Sequence, residues 1–475
     1  MKYEVIIGLE IHIETKTNTK MFSSASSLFD APANSNVSVV DMAFPGTLPT
    51  VNKKAVQNAI MLGHALNMEI DDELHFDRKN YFYSDLPKGY QITQQRRPIG
   101  SNGYLDIYVN DTKKRIRIER IHMEEDTAKQ IHLSEVTLID YNRAGNPLVE
   151  LVTEPDLRSA DEAMAFVEAV REIVTFLEIS DGKMEEGSLR CDVNISLRPV
   201  GVSKFGNKVE IKNMNSISNI GKAIETEIKR QSELLDKGLE VESETRRYDD
   251  ALKDTITMRK KDESVDYRYI PEGNILPISL SKEFIDTTIR EMKELPSVKR
   301  ERYFEEFKLN AHEVNILLQD KDLTSYFDEA ARDVKNYKTL INWVIGEFSS
   351  YLNKEGKNAK SVALSPQNTS KLVNLIDNGT ISNSQARELF AHIIETNEDP
   401  EIKAKALNLM QVSDTDFILS VINEVINENL NVIDDIKAGK DRAMGFLVGQ
   451  VMKKTKGKVN PALASKLMKQ EIDKR

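Results

Sequence analysis

The chain has 475 residues, 40% of them hydrophobic and 30% charged, with 76 acids against 65 bases for a formal charge of −11. This composition fits a folded protein of about three domains, and no run approaches the roughly 20 apolar residues that a membrane span requires. A single cysteine, Cys191, excludes a disulfide framework or a multi-cysteine metal site, and the acidic total argues against general coating of nucleic acid, so a cytoplasmic enzyme is the default.

The opening residues MKYEVIIGLEIHIE alternate apolar and polar positions and lack the continuous apolar stretch of a secretory leader. With a period of two, Val5, Ile7, Leu9, Ile11 and Ile13 share one strand face. Glu10, His12 and Glu14 share the other, neighbours being about 7 Å apart. Residues 54–66 have helical spacing. Before the run His122-Met-Glu-Glu-Asp126, Ile116 and Ile118 set one parity and Ile121 and Met123 the other, which predicts a bulge or strand end. Ser159-Ala-Asp-Glu162 reads as a capping box opening a helix with the stripe Phe166, Val167, Val170, Val174 and Leu177.

In residues 186–198, Leu189, Cys191, Val193, Ile195 and Leu197 point one way; Glu186, Ser188, Arg190, Asp192, Asn194, Ser196 and Arg198 point the other. Val209 and Ile211 likewise oppose Glu210 and Lys212. Residues 216–235 form a second helix with Gly238 as its stop. Three strands with polar residues on one side suit a half-buried antiparallel sheet. Past Pro296 the chain reads as helices, with a second break near 397–400 or 413–414. The fold class is α+β: a sheet-based body with helical appendages.

No GxxxxGK[ST], strand-linked GxGxxG or GxSxG motif is present, and no Cys–His pair stands out. Acids are plentiful instead. Glu10 with His12, the run His122–Asp126, Glu150, Asp192 and Glu210 offer hard ligands of the type Mg²⁺ takes. Arg143, Arg158, Arg190, Arg246, Arg247 and Arg268 could hold phosphates. Metal plus arginines without a P-loop is consistent with phosphoryl transfer on a sheet platform. Any one acidic run is more often a solvated surface, and Glu185–Glu186 is read that way. Cys191 reads as a core residue.

Long motifs then add up to a resemblance. GLEIHIETKTNTKMF, FPGTLPTVNKKAV, FDRKNYFYSDLPKGYQIT, RIHMEEDTAK, YNRAGNPLVELVTEPDLRS, MEEGSLRCDVNISLR, VEIKNMNSISNI and DYRYIPE resemble successive signatures of the GatB/GatE family, found in bacterial tRNA-dependent amidotransferases. The likeness implies a cradle domain over residues 1–292, related in fold to glutamine synthetase and guanidino kinases, a helical domain over 293–410 and a helical tail over 411–475. It implies ATP as a substrate, Mg²⁺ as cofactor, and phosphorylation of the side-chain carboxylate of Glu-tRNA(Gln), Asp-tRNA(Asn) or both. Ammonia would come from a partner amidase, within a heterotrimer completed by a small stabilising subunit. Glu10, His12, Glu124, Glu125 and Glu150 become the implied catalytic set. His12, Glu125 and Glu150 match metal positions, with Glu10, Asp192 and Glu210 as further ligands. Between Glu124 and Glu125 the sequence does not choose. Lys79, Tyr81, Arg143, Arg158, Ser188, Arg190 and Asn213 would line the substrate chamber.

The chain departs from the family pattern in three places. Ser23, Ala25, Ser38 and Asp41 stand where many relatives carry zinc-binding cysteines, so no structural zinc is expected. Pro271-Glu272-Gly273-Asn274 lacks an acid, and Arg96–Arg97 replaces an aromatic–acid pair. The tail restores a nucleic-acid partner: from Lys440 to Arg475 ten bases face three acids, and Lys453, Lys454, Lys456 and Lys458 crowd a glycine. A non-catalytic tRNA-binding scaffold is the alternative reading.

Overall fold

The computed structural model describes all residues except 1, 111, 261–265, 411–414, 438–440, 456–458 and 475. Its elements begin β1 (Tyr3–Glu14), α1 (Lys53–Ala65), β2 (Glu69–Ile70), β3 (Glu73–Leu74), β4 (Asp77–Asn80) and β5 (Tyr90–Thr93). They continue with β6 (Gly100–Val109), β7 (Thr112–Glu125), β8 (Lys129–His132), β9 (Thr137–Asp140), β10 (Pro147–Thr153) and α2 (Ala160–Phe176). Then come β11 (Leu189–Pro199), β12 (Val209–Lys212), α3 (Ile217–Asp236), β13 (Glu244–Asp249), β14 (Asp254–Lys260), β15 (Ile270–Pro271) and β16 (Ile278–Ser279).

Strand β1 takes the middle of a nine-stranded sheet ordered β14-β13-β12-β11-β1-β10-β7-β6-β2. It pairs antiparallel with both neighbours: Glu10 lies opposite Asp192 on β11, and His12 opposite Glu150 on β10. The predicted antiparallel order fails at one place, because β12 and β13 run parallel. Helix α3 is the reason: it carries the chain back along the sheet, the crossover that a parallel pair needs. The sheet is therefore mixed within an α+β body.

The expected irregularity in β7 is a register shift. Ile118 pairs with Thr153 but Arg120 with Val152, so Glu119 is an extra residue on β7. That insertion reverses the parity of the rest of the strand. Ile121 and Met123 turn into the core, and His122 and Glu124 join Glu150 on the other face.

Ile7, Leu9, Ile11, Ile13, Leu151, Val193 and Ile195 pack against Phe166, Val167, Val170 and Val174 of α2 and Ile220 and Ile224 of α3. Burying each such side chain contributes about 1.5–3 kcal/mol. Cys191 belongs to this core, as its neighbours predicted. Ser159 caps α2, its hydroxyl accepting from the Glu162 amide at 3.2 Å. The Glu162 carboxylate instead accepts from the Arg158 amide (2.7 Å) and Lys114 (2.6 Å), so the box is one-sided. Gly238, at φ +71°, ends the turn after α3.

The chain divides into two compact units, Met1–Pro296 and Ser297–Arg475. The second is helical, with Tyr303, Phe307, Phe327 and Tyr337 forming one ring cluster and a π-helical turn at Val344–Phe348. Its last helices enclose their own core of Ile418, Ile422, Val425, Leu447, Val451, Met468 and Ile472. The break expected at 413–414 falls outside the described residues. No helix among the described residues is long and apolar enough to cross a membrane.

Candidate active site

The polar face of the sheet gathers its charges around β1. His12 Nε2 lies 3.3 Å from a Glu150 oxygen and 3.8 Å from one of Glu124. The ligand atoms of these three residues lie within 4.8 Å of one another. His122 adds a second imidazole, its Nε2 at 3.5 Å from Glu150 and 3.8 Å from Glu124, while its buried Nδ1 has no partner. Burial alone would favour the neutral ring of His12, but Glu150 and Glu124 outweigh it and its pKa rises. Burial also opposes the Glu150 carboxylate, yet His122 and His12 hold its pKa well below the usual range. Glu124 goes the other way, pushed up by burial and then by the charge on Glu150. Two carboxylates with separated proton affinities are a frequent mark of a working site.

One step along β1, two carboxylates face each other. Glu10 and Asp192 are directly opposed across the strand pair, where like charges repel. Glu210 completes a second set of acids within 4.8 Å. Lys212 bridges it, at 2.5 Å from Asp192 and 3.1 Å from Glu210, and the Asn194 amide donates to Glu10 at 2.8 Å. Burial works against the Lys212 ammonium, but Asp192 and Glu210 outweigh it and raise its pKa. From Glu10 to His12 is about 7 Å along the strand. The face thus presents two acidic sets in series.

A divalent cation suits the first set best. Two carboxylates and an imidazole converge there, with no lysine ion-paired to them among the described residues; oxygen donors fit Mg²⁺, and the added nitrogen also suits transition metals. The second set already holds an ammonium.

Comparison with known proteins adds to this geometry. Residues 5–286 match the pattern described as "GatB/GatE catalytic domain", and residues 325–472 match the "GatB domain". The chain is similar to the B-type subunit of the aspartyl/glutamyl-tRNA(Asn/Gln) amidotransferase of Bacillus cereus strain AH187. The two are 48% identical over 475 residues, covering all of both chains. The same holds for the Bacillus mycoides counterpart at 48%, and for that of Bacillus cereus strain B4264 at 47%. This chain belongs to the GatB/GatE family.

Of the residues that the family likeness singled out, the structure gathers some and separates others. Between Glu124 and Glu125 the geometry chooses Glu124. Glu125 ends β7 on the opposite parity, where it pairs with Lys88 at 2.5 Å and accepts from the Ile92 amide at 3.0 Å. Expected as a metal ligand, it instead anchors β5. Lys79 lies near Glu124 and Glu150; burial lowers its proton affinity, but those acids outweigh it and the pKa is raised. Tyr81 is raised by burial and then by Glu124, so its phenol stays protonated. The Tyr81 ring meets Tyr267 edge-on at 5.9 Å. Arg190 lies opposite His12 and reaches Asp126 at 2.7 Å, with a buried Nε left without a partner. Arg143 braces the same aspartate at 3.6 Å and donates to the carbonyls of Thr127 and Ala128.

Three expected chamber residues are elsewhere. Arg158 binds Glu4 (3.1 Å) and the Pro155 carbonyl (2.6 Å) at the far end of β1. From Glu4 to His12 is about 27 Å of extended strand, so Arg158 is not brought to the acids. Ser188 closes the turn before β11 by exchanging hydrogen bonds with the Lys183 backbone. Asn213 is exposed in a left-handed conformation just after β12. At the position read from the family likeness as a lost zinc ligand, Asp41 faces a buried Lys20 at 3.3 Å and accepts from the Ser38 amide at 2.8 Å. Arg97 pairs with Asp71 and Glu73, and Glu272 with Arg78. Lys456 and Lys458 lie outside the described residues.

His122 joins the site as well; the sequence offered it only within the run His122–Asp126, and the family likeness gave it no place in the catalytic or metal set. Its signal was available: it shares parity with Glu124, the relation that drew His12 to Glu10. Lys88 carried no such signal, since Glu125 comes from another element; Lys212 shared parity with Glu210 on its own strand, but its shorter contact, Asp192, comes from β11.

Proposed function

We propose that this chain is the GatB subunit of a tRNA-dependent amidotransferase, activating and amidating the side-chain carboxylate of glutamyl- or aspartyl-tRNA. The observation that carries the reading is the convergence of His12, Glu124 and Glu150 on the polar sheet face beside Lys79 and Arg190, in a chain collinear with its GatB relatives. A carboxylate is a poor electrophile, so it must first gain a leaving group. A carboxylate oxygen attacks the γ-phosphorus of ATP, the bond to the ADP oxygen breaks, and an acyl phosphate forms. Ammonia then attacks the carbonyl carbon, phosphate departs, and the nitrogen sheds a proton to give the amide.

His12, Glu124 and Glu150 would hold Mg²⁺, with Glu10, Asp192 and Glu210 as a second acidic set. The ion, when bound, offsets repulsion between the substrate carboxylate and the triphosphate. Lys79 and Arg190, both cationic at neutral pH, face the same space and would orient anionic reactants. Tyr81 stays a neutral donor. Ammonia would come from an amidase partner within a heterotrimer that has a small third subunit, and the basic tail would grip tRNA. Replacing Glu124 or Glu150 by Ala in the assembled complex should abolish ATP use and amidation of Glu-tRNA together. Retained amidation with normal ATP consumption would refute this site and leave a tRNA-binding scaffold.

A further inference from the structure

The helical unit holds a groove of about 290 Å³. One wall is the helix Tyr337–Trp343 with the π-helical turn that follows it; the helices Pro366–Asp377 and Asn383–Ile393 supply the rest. We propose that this groove binds an extended segment of a partner protein carrying a cationic side chain.

The first wall depends on the π turn. In a regular α-helix each four-residue step turns about 40° past a full circle, so a stripe at that spacing drifts off its face. The turn at Val344–Phe348 takes in an extra residue, and such turns are frequent at functional sites. Thr339, Trp343 and Glu347 all line the groove as a result. The Ser349 hydroxyl fastens the widened turn by donating to the Val344 carbonyl at 2.7 Å.

The hydrogen-bonding groups of the groove are idle. Trp343 is only 6% exposed and packs on Phe390, yet its indole N–H has no hydrogen bond among the described residues. A buried indole N–H ordinarily finds an acceptor. The exposed carboxamides of Asn342 and Asn383 make no hydrogen bond among the described residues either. Arg387 crosses to Glu347 through its Nε alone, at 2.6 Å, which leaves its other donors open. Small-molecule pockets are mostly apolar, whereas here only Ile376 and the Trp343 ring are. Donors and acceptors together on an exposed groove match a peptide backbone, whose N–H and C=O groups need both.

Charge selects the kind of segment. Asp377 ends its helix, where the backbone dipole disfavours an acid, and the last turn has no basic residue. Its Oδ1 accepts from the Thr339 hydroxyl at 2.7 Å and the Asn336 carboxamide at 3.0 Å, both neutral. No cation pairs with Asp377 among the described residues. With Glu347 and Arg387 offsetting each other, the rim keeps one uncompensated negative charge. A lysine or arginine would balance it, whereas phosphates or an acidic peptide would be repelled.

The test uses the full chain and its single tryptophan, whose indole N–H gives one NMR signal. The probes are pools of nine-residue peptides, uncharged and free of tryptophan except for a central Lys, Ala or Glu, with single-stranded oligoadenylate beside them. The lysine pool should shift the indole signal at millimolar concentration, the alanine pool should bind about threefold to fivefold more weakly, and the glutamate pool more weakly still. Asp377→Asn, which keeps an oxygen for Thr339 and Asn336, should erase the advantage of lysine over alanine. Asn383→Ala, at the exposed first position of its helix, should weaken all three pools. No shift with any peptide, an equal response to the lysine and glutamate pools, or a lysine advantage that survives Asp377→Asn would overturn the proposal. A shift with oligoadenylate and none with peptide would give the groove to RNA and overturn it as well. The function proposed above rests on the other unit and stands or falls separately.

Discussion

Glu124 and Glu125 are consecutive in the chain and face opposite sides of β7, the first toward His12 and Glu150, the second toward Lys88 and the Ile92 amide. The alternation of a single strand thus divides two identical side chains between a candidate metal set and a structural anchor. Both partners in the Glu125–Lys88 pair are nearly buried, at 4% and 10% side-chain exposure. Glu125→Gln keeps an acceptor for Ile92 but strands an ammonium. It should cost about 3 kcal/mol of stability, read as a lowered urea midpoint at unchanged slope. A midpoint within error of wild type would show that the pair is not structural.

Glu124→Gln should do the reverse. Its carboxyl is raised by burial and by Glu150, so its folded pKa exceeds its unfolded one. The stability it lends at low pH is lost as pH rises through that window, and at neutral pH its ionisation opposes folding. Removing the charge should stabilise the metal-free protein by on the order of 1 kcal/mol, while lowering amidation about 100-fold or more. Thermal melts with and without Mg²⁺ check both halves. Wild type should melt higher with the ion, since binding to the folded state alone stabilises, and Glu124→Gln should respond far less.

Asp126 has a depressed pKa. Burial works against its charge, but Arg190 and then Arg143 outweigh it. The sign is clear: Asp126 contributes stability at pH values above the unfolded value of about 4, and this is lost as pH falls through the lower folded value. Asp126→Asn should cost about 2 kcal/mol at neutral pH, less than a fully buried pair because 35% of the Arg190 side chain remains exposed. Its acid-unfolding curve should lack the step that wild type shows below about pH 4. Identical curves would remove Asp126 from the account.

The strands of the body were legible because each has one apolar face, and a period of two admits a single reading of Val5–Ile13 or Leu189–Leu197. The irregularity before His122 was legible for the same reason, through a clash of parities at Ile118 and Ile121. Two things were not. The parallel β12–β13 pair depends on the path of α3, which no local pattern encodes. The partners of Glu125 and Arg158 come from residues 37 and 154 positions away in sequence. Long-range pairing of charges follows the assembled sheet, so a likeness of motifs could name Arg158 without revealing that Glu4 holds it far from the acids.

The tail carries the last prediction. Lys453 and Lys454 end the helix Asp441–Lys454, but they differ in surroundings. Lys454 lies at 2.8 Å from Glu424 and 2.6 Å from Glu428, so its charge is already balanced. Lys453 is exposed, with no ion pair among the described residues. Phosphate contacts release counterions, and each one lost reduces the slope of log affinity against log salt by about 1. Lys453→Ala should therefore weaken tRNA binding and flatten its salt dependence. Lys454→Ala should do so less, because that lysine's charge is already spent on two acids and is less available to a phosphate. Replacing Glu424 and Glu428 by Gln should release Lys454 and strengthen binding at low salt. Filter binding across a salt series distinguishes these outcomes, and equal affinities and slopes for all four proteins would mean that tRNA does not meet this end of the helix.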